Sequence, residues 1–445
     1  MSGLQDWGVD RKSINDVTLL LIFVNLLLIG SIAFLLWRRQ TMLSKAVFWP
    51  ALFMKLGAGV CLGVVYVFYY EGAGDTILYF KDSSALADLA RKDPGGYLEY
   101  LWKGGVQPTL IIDANEQPRT LFLIKLASVF NLLSDNNYWI TAAYFSFISF
   151  LAAWFLVTRV ERFVPAAYWP SVVGVLFFPS AVFWSSGLMK ESLAMAGIFF
   201  LAGCIVSGWF GARVRWWQVI LIPIAAWVVW NLKYYFLGVM APVAIASLLV
   251  HNLYRMGLGP RWLALKILIW LMLMVAPLTM IASLHPNFHP QALMDVMVDN
   301  YRIFHEVSEP EDLIYYDDLR PDLFSLLYHA PKAIFSGVFR PMLWEASSDL
   351  QILAAVENTL LLLLSFGALL NMRTFWSSPY RLLIITVIVY AVVLAGFLAL
   401  SVPNFGTLSR YKVGFLPFLV TILLVRNPFV IRMLQMMQRY SGSLA

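Results

Sequence analysis

Three acids gather where one apolar stretch ends, in Tyr69-Tyr70-Glu71-Gly72-Ala73-Gly74-Asp75-Thr76-Ile77-Leu78-Tyr79-Phe80-Lys81-Asp82-Ser83. A carboxylate at such a boundary can deprotonate a hydroxyl brought to a membrane surface. Glu71, Asp75 and Asp82 are therefore candidates for acid–base chemistry. Asp75 also precedes a predicted helix, a position that suits an N-cap.

Cations mark four more boundaries. Pro179-Ser180-Ala181-Val182-Phe183-Trp184-Ser185-Ser186-Gly187-Leu188-Met189-Lys190-Glu191 places Lys190 and Glu191 between two apolar stretches. Asn231-Leu232-Lys233-Tyr234-Tyr235 does the same for Lys233. Phe339-Arg340-Pro341-Met342-Leu343-Trp344-Glu345 carries Arg340 and Glu345, with Glu357 further on, and Ser409-Arg410-Tyr411-Lys412 carries two more cations. Ionisable groups at membrane depth are costly and face a cavity or a partner. Guanidinium forks and ammonium point charges both suit a phosphate. The alternative is local: Lys190 snorkelling from a helix end, and the cations pairing with Glu191, Glu345 and Glu357 to hold loops in place.

The elements that must position these residues follow from composition. Of the 445 residues, 60% are hydrophobic and 13% charged, against roughly 25% charged in a soluble domain. A spanning helix needs about 20 apolar residues. Eleven stretches qualify: 17–36, 47–70, 138–158, 166–187, 190–210, 216–233, 235–254, 263–284, 351–371, 380–401 and 411–426. The expected fold is all-α, a polytopic transmembrane bundle of about eleven spans in one integral membrane domain, 1–445. The pairs meeting at Gly187–Lys190 and Lys233–Tyr235 have almost no loop, so either pair could be re-entrant.

Charge sets the orientation. Arg38/Arg39/Lys45, Arg159/Arg162, Arg213/Arg215, Arg255/Arg261/Lys266, Arg373/Arg381 and the tail with Arg426, Arg432 and Arg439 fall on alternate connections, with Glu161 as their one acid. The positive-inside rule places these in the cytoplasm. The N-terminus is then outside and the C-terminus inside. Lys190, Lys233, Arg340, Arg410 and Lys412 break the rule on the outer side, which is why an anionic ligand there is the natural explanation. Two outer connections are long, 71–137 and 285–350. The first contains an amphipathic stretch, Leu121–Leu133, too short to span and suited to the interface. Both are rich in aromatic and aliphatic residues, so ordered loops over the bundle are expected.

Several classes are disfavoured. The net charge of +6 is spread over short loops as topological markers, without the basic stripe of a nucleic-acid binder. Met1–Asp16 has no basic start or cleavage site of a signal peptide. Cys61 and Cys204 fall inside spans and read as small core residues. His285, His289, His305 and His329 lack metal-ligand spacing, so no metal site is expected. A Gly-rich phosphate loop and a nucleophile elbow are missing.

The acidic Gly-Asp-x-x-x-Tyr element after an early span resembles the first outer loop of the GT-C superfamily of polytopic glycosyltransferases, which includes protein mannosyltransferases and aminoarabinose transferases. The stretch Leu121–Leu156 is similar to the family's interfacial helix and following span. Pro179–Glu191 is similar to its Pro-containing helix end with a polar residue and Glu. Ser409-Arg410-Tyr411-Lys412-Val413-Gly414-Phe415-Leu416-Pro417 resembles its late Arg-Tyr…Pro pattern. The likeness covers residues 47–260 and the last span. It departs from the family in an extra leading span, in lacking a tight acid pair beside Asp75, and in the Phe339–Glu345 element.

The resemblance implies hexosyl or pentosyl transfer from a polyprenyl-phosphate-linked sugar to a glycan, lipid or protein acceptor at the outer face, in cell-surface glycan assembly. It makes Asp75 the candidate general base and Glu71 the second. Lys190, Lys233, Arg340 and Arg410 would hold the carrier phosphate, with Glu191, Glu345 and Tyr411 in the same substrate-binding set. Trp184, Trp344 and Tyr411 could stack on a sugar, although interfacial aromatics also form belts. The lipid-linked sugar is a co-substrate, no cofactor is expected, and a divalent metal stays open. Membrane lipid is a partner and nucleic acid is not. The implied location is the bacterial inner membrane. An O-antigen-type polymerase and a transporter or flippase of a lipid-linked anion stay open as alternatives.

Overall fold

The computed structural model describes residues 16–103, 117–259, 262–284, 289–433 and 435. The N-terminal stretch before Asp16, Arg261, His285 and Arg439 lie outside the described residues. Within them, all regular structure is helical apart from one isolated bridge between Leu313 and Asn404. Among the described residues, seven helices are long and apolar enough to cross a membrane, or eight if one bent pair counts as a span. The chain is a multi-pass membrane protein. It divides into two compact units, one of residues 1–151 with 185–193 and one of residues 152–184 with 194–445.

The first unit starts with α1 (Asp16–Arg38) and α2 (Met42–Val64), which ends in a π-helical turn, Val65–Tyr69. Then come α3 (Asp75–Lys92), α4 (Pro94–Lys103), α5 (Pro118–Ser134) and α6 (Tyr138–Phe163), whose residues from Ala152 on belong to the second unit. The loop 71–137 is thus largely helical. Leu86, Tyr97, Tyr100 and Ile124 form a small core between α3, α4 and α5. Asn131 of α5 ties that core to its neighbours: its Nδ2 donates to Ser83 Oγ at 2.8 Å, and its Oδ1 accepts from Thr141 Oγ1 at 2.6 Å. The expected amphipathic stretch is α5, and it buries Leu123, Ile124, Ala127 and Asn131 against protein.

The expected span 166–187 is not one helix. It breaks into a 3₁₀ turn (Pro165–Ala167), α7 (Tyr168–Ser171), a π-helical turn (Val172–Phe177) and α8 (Pro179–Trp184). Pro179 explains the break: it has no N–H to donate, and it forces Phe178 into extended backbone at ψ 120°. The chain then runs without regular structure until α9 (Lys190–Trp209).

The stretches 216–233 and 235–254 form one 40-residue element, α10 (Trp216–Arg255), broken only at Lys233 (φ −145°, ψ 64°). A straight helix of that length would be about 60 Å long. Instead its two ends lie together. Gln218 near its start bonds Cys204 of α9, while His251 near its end stacks on Trp209 at 4.3 Å and Arg255 lies against Gly211. The chain therefore doubles back at Lys233 into two limbs.

The rest of the second unit comprises α11 (Leu263–Leu284), α12 (Pro290–Val307), α13 (Leu323–Phe339), α14 (Asp349–Leu370), α15 (Met372–Trp376), α16 (Arg381–Ser401), α17 (Phe405–Tyr411) and α18 (Leu416–Leu424). The side chains of α11 are described from Leu265 to Val275. The expected last span, 411–426, is replaced by the pair Phe405–Gly414 and Leu416–Leu424, bent by 68°. The second limb of α10 runs antiparallel to α16, with Tyr235 against Phe397 (5.7 Å) and Ser247 bonded to Thr386 (2.7 Å). Phe178, Leu361, Leu416 and Val420 form a core between α8, α14 and α18.

These contacts sort the charges of this unit. Phe163 stacks on Phe210 at 5.3 Å, and Phe210 meets Tyr380 at 6.0 Å. With Trp209 on His251, they bring the connections of Arg162, Arg213/Arg215, Arg255 and Arg381 to one end. Lys233 and Ser401 lie at the other. The long connection 285–350 is ordered there over its described part: Tyr316 N–H donates to Tyr301 Oη at 2.9 Å, and Tyr316 Oη–H donates to Ala399 O at 3.3 Å.

Candidate functional site

In the first unit the acidic loop is built by glycine. Gly74 adopts φ 127°, and a Cβ there would come within 2.7 Å of the Tyr66 ring. Gly74, and not Asp75, occupies the N-cap position of α3, and Asp75 is the first helical residue. The N-cap expectation for Asp75 is thus corrected. Its carboxylate stands at a helix N-terminus, where the macrodipole favours negative charge. Asp75 is half-buried, and Glu71 is exposed with φ 49°. Asp82 is buried two turns along α3.

Tyr79 lies one turn after Asp75 on α3 and is buried. The Lys190 ammonium sits 5.1 Å from its ring centroid and donates to Thr120 Oγ1 at 2.6 Å. Lys190 is half-buried and Glu191 fully buried. Behind them the irregular run Ser185–Met189 is buried. Gly187 N–H donates to Ser146 Oγ at 2.8 Å, and Ser192 Oγ–H donates to Gly187 O at 2.7 Å. Irregular backbone at membrane depth persists only where protein or a cavity satisfies it. Gly59 of α2 makes room for this run: a Cβ on it would fall 2.3 Å from Ser146 Oγ and 3.2 Å from Gly187 N.

Lys55 escapes the sequence reading. It is buried in α2 and donates to Ser185 Oγ at 2.5 Å. The available signal was a lone ammonium inside an apolar span, which is costly unless it has a partner. That partner is 130 residues away, so nothing local reveals it.

In the second unit, Lys233 and Arg410 meet on one ring. The buried Lys233 ammonium is 3.4 Å from the Tyr411 centroid, and the Arg410 guanidinium carbon is 5.9 Å from it. Tyr235 completes the cluster, 6.2 Å from Tyr411. Arg340 is placed differently. Its Nε donates to both Glu345 oxygens, at 2.9 and 3.0 Å, and it lies 5.0 Å from the Phe405 ring. Met342 N–H donates to Glu345 Oε2 at 2.8 Å. For Arg340 the local-pairing alternative describes the geometry. Burial pushes the Glu345 carboxyl up, but the bonds from Arg340 and Met342 and the Arg340 charge outweigh it and leave it below the ordinary carboxylate value.

Lys412, named in the sequence with Arg410, is buried and donates to three acceptors: Val338 O at 3.1 Å, Arg340 O at 2.5 Å and Asn358 Oδ1 at 3.1 Å. Glu357 accepts from Ser180 N–H at 2.9 Å and lies near enough to Lys412 to interact electrostatically. Of the cations expected on the outer side, Lys190 belongs to the first unit and Lys233, Arg340, Arg410 and Lys412 to the second.

Among the aromatics expected to stack on a sugar, Trp184 is half-buried, Trp344 exposed and Tyr411 engaged by Lys233. Cys61 is exposed, which corrects its reading as a core residue, and Cys204 is half-buried. His305 packs on Tyr301 and His329 on Tyr316. Among the described residues no group of three His, Cys, Asp or Glu side chains is placed to hold a metal ion. Comparison with family models, with curated proteins and with solved structures finds no match to this chain.

Proposed function

We propose that this chain is a membrane glycosyltransferase of the cytoplasmic membrane of a bacterium. It moves a sugar from a polyprenyl-phosphate carrier to a glycan, lipid or protein acceptor at the outer face. The observation that carries the reading is the arrangement around Tyr79. Lys190 lies 5.1 Å from its ring, and Asp75 is its i−4 neighbour on α3, the spacing that places two side chains on one helix face. A carboxylate thus shares a helix face with the aromatic ring that the ammonium meets.

Transfer from a phosphate carrier uses both groups. The acceptor oxygen attacks the anomeric carbon and loses its proton to a carboxylate, while the bond to the phosphate oxygen breaks. The negative charge that develops on that oxygen is stabilised by a fixed cation. Asp75 is assigned the proton, with Glu71 as the second acid, and Lys190 the phosphate, held in place by Thr120. The test uses the purified protein in nanodiscs with a panel of hexosyl and pentosyl polyprenyl phosphates. Release of polyprenyl phosphate, lost in Lys190→Met, supports the assignment. No release from any donor overturns it.

A second reading rests on the second unit. Lys233 stands at the break of α10 and Arg410 in the bent pair α17–α18, and discontinuous helices carrying charge are how transporters hold ions and anionic substrates. A flippase would move a fluorescent lipid-linked anion across proteoliposomes with its sugar–phosphate bond intact. Cleavage without movement favours the transferase.

A further inference from the structure

We propose that the second unit binds an anionic two-chain phospholipid at its arginine-rich end. Its phosphate would lie on Arg373, Arg381 and Arg426, and its acyl chains in two adjoining apolar cavities. The larger cavity has a volume of about 550 Å³ and the smaller about 280 Å³. Both fall outside the transferase residues proposed above. The larger one alone is within the range of roughly 300–1,000 Å³ typical of ligand pockets.

Their walls say what fits. The larger cavity is lined by aliphatic and aromatic side chains such as Met240, Val243, Leu383 and Phe418, and its charged lining residues are Arg373 and Arg426. The charged lining residue of the smaller is Arg381. Among the described residues, no acid lines either cavity. Phe375, Ile384 and Ile422 line both, so the two apolar spaces are divided by a shared wall. Two adjoining apolar spaces suit two hydrocarbon chains better than one.

Position adds the head group. Tyr380 lines the larger cavity and meets Phe210, so this part of its wall lies at the end where Arg162, Arg213, Arg255 and Arg381 gather. Tyr390, further along α16 from Arg381, lines it as well, and the Tyr390 hydroxyl donates to Gly414 O at 2.8 Å. The cavity therefore runs from a cationic end into the apolar interior, the shape and polarity of an anionic amphiphile. Apolar cavities do not hold water well, and hydrocarbon chains supply the missing contacts. A zwitterionic head would bring its own cation against three arginines. Each arginine near the surface favours an anionic lipid about fivefold.

The experiment uses the full chain in mixed micelles containing phosphatidylglycerol and phosphatidylcholine with identical acyl chains, and retained lipid is counted by native mass spectrometry. The expected result is at least about tenfold preference for phosphatidylglycerol. The variant R373Q/R426Q should lose most of that preference while still retaining some of both lipids. Ala244→Phe, which fills the larger cavity, should lose both, with Ala202→Leu as the milder variant if the first elutes as aggregate. Equal retention of the two lipids by the unmodified chain overturns the proposal. So does an unchanged preference in R373Q/R426Q, or displacement of both lipids by single-chain polyprenyl phosphate.

Discussion

The Lys233 ammonium stands 3.4 Å from the centroid of the Tyr411 ring. Lys233 is the residue at which α10 doubles back, and Tyr411 ends α17, just before the bend that leads into α18. One cation–π contact therefore ties two helix breaks together. A desolvated contact of this kind contributes about 2 kcal/mol or more.

The contact needs the ring and not the hydroxyl. Tyr411→Phe should keep the thermal stability of the protein in detergent, and Tyr411→Leu should lose about 2 kcal/mol. An equal loss in both variants would assign the role of Tyr411 to its hydroxyl.

Asp75 separates chemistry from helix stability. As the first residue of α3 its charge contributes about 0.3–1 kcal/mol through the helix dipole. Asp75→Asn should therefore lower stability only slightly, but reduce sugar transfer about 10²–10⁴-fold. Measuring transfer and melting temperature on the same preparation decides it. Near-normal transfer would remove Asp75 from catalysis and move the assignment to Glu71.

The Arg340–Glu345 pair predicts a pH dependence. Because the folded Glu345 carboxyl titrates below its unfolded value, its contribution is fully present above the unfolded pKa of about 4.3. That contribution is lost as pH falls through the folded value. The stability gap between the wild type and Glu345→Gln should close progressively below pH 4. Thermal melts from pH 7 to pH 3 measure it. A gap that stays constant would exclude the pair as its source.

Topology is testable by side-specific labelling in a background lacking Cys61 and Cys204. Within the second unit, Ala212→Cys and Ser378→Cys should react from one side of the membrane, and Glu309→Cys and Trp344→Cys from the other. Reaction of Ala212→Cys and Glu309→Cys from the same side would contradict the doubling back of α10 at Lys233.

The sequence by itself determined that this is a helical, multi-pass membrane protein. It also separated the arginine-bearing connections from the rest, because an exposed guanidinium crosses a bilayer at high cost and so marks a side. The second unit gathers Arg162, Arg213, Arg255 and Arg381 at one end, as that separation requires. The sequence also marked Lys233 and the Gly187–Lys190 segment as breaks, because a polar residue or a glycine interrupts the apolar run there. Only the tertiary structure decided which groups meet. Arg340 closes on Glu345, Lys412 takes three acceptors from other elements, Lys55 finds Ser185, and Lys233 shares the Tyr411 ring with Arg410. Most of these partners are 50 or more residues apart. Composition and periodicity constrain which face of a helix is buried, but the partner a buried charge finds depends on packing between distant helices, which no local pattern carries.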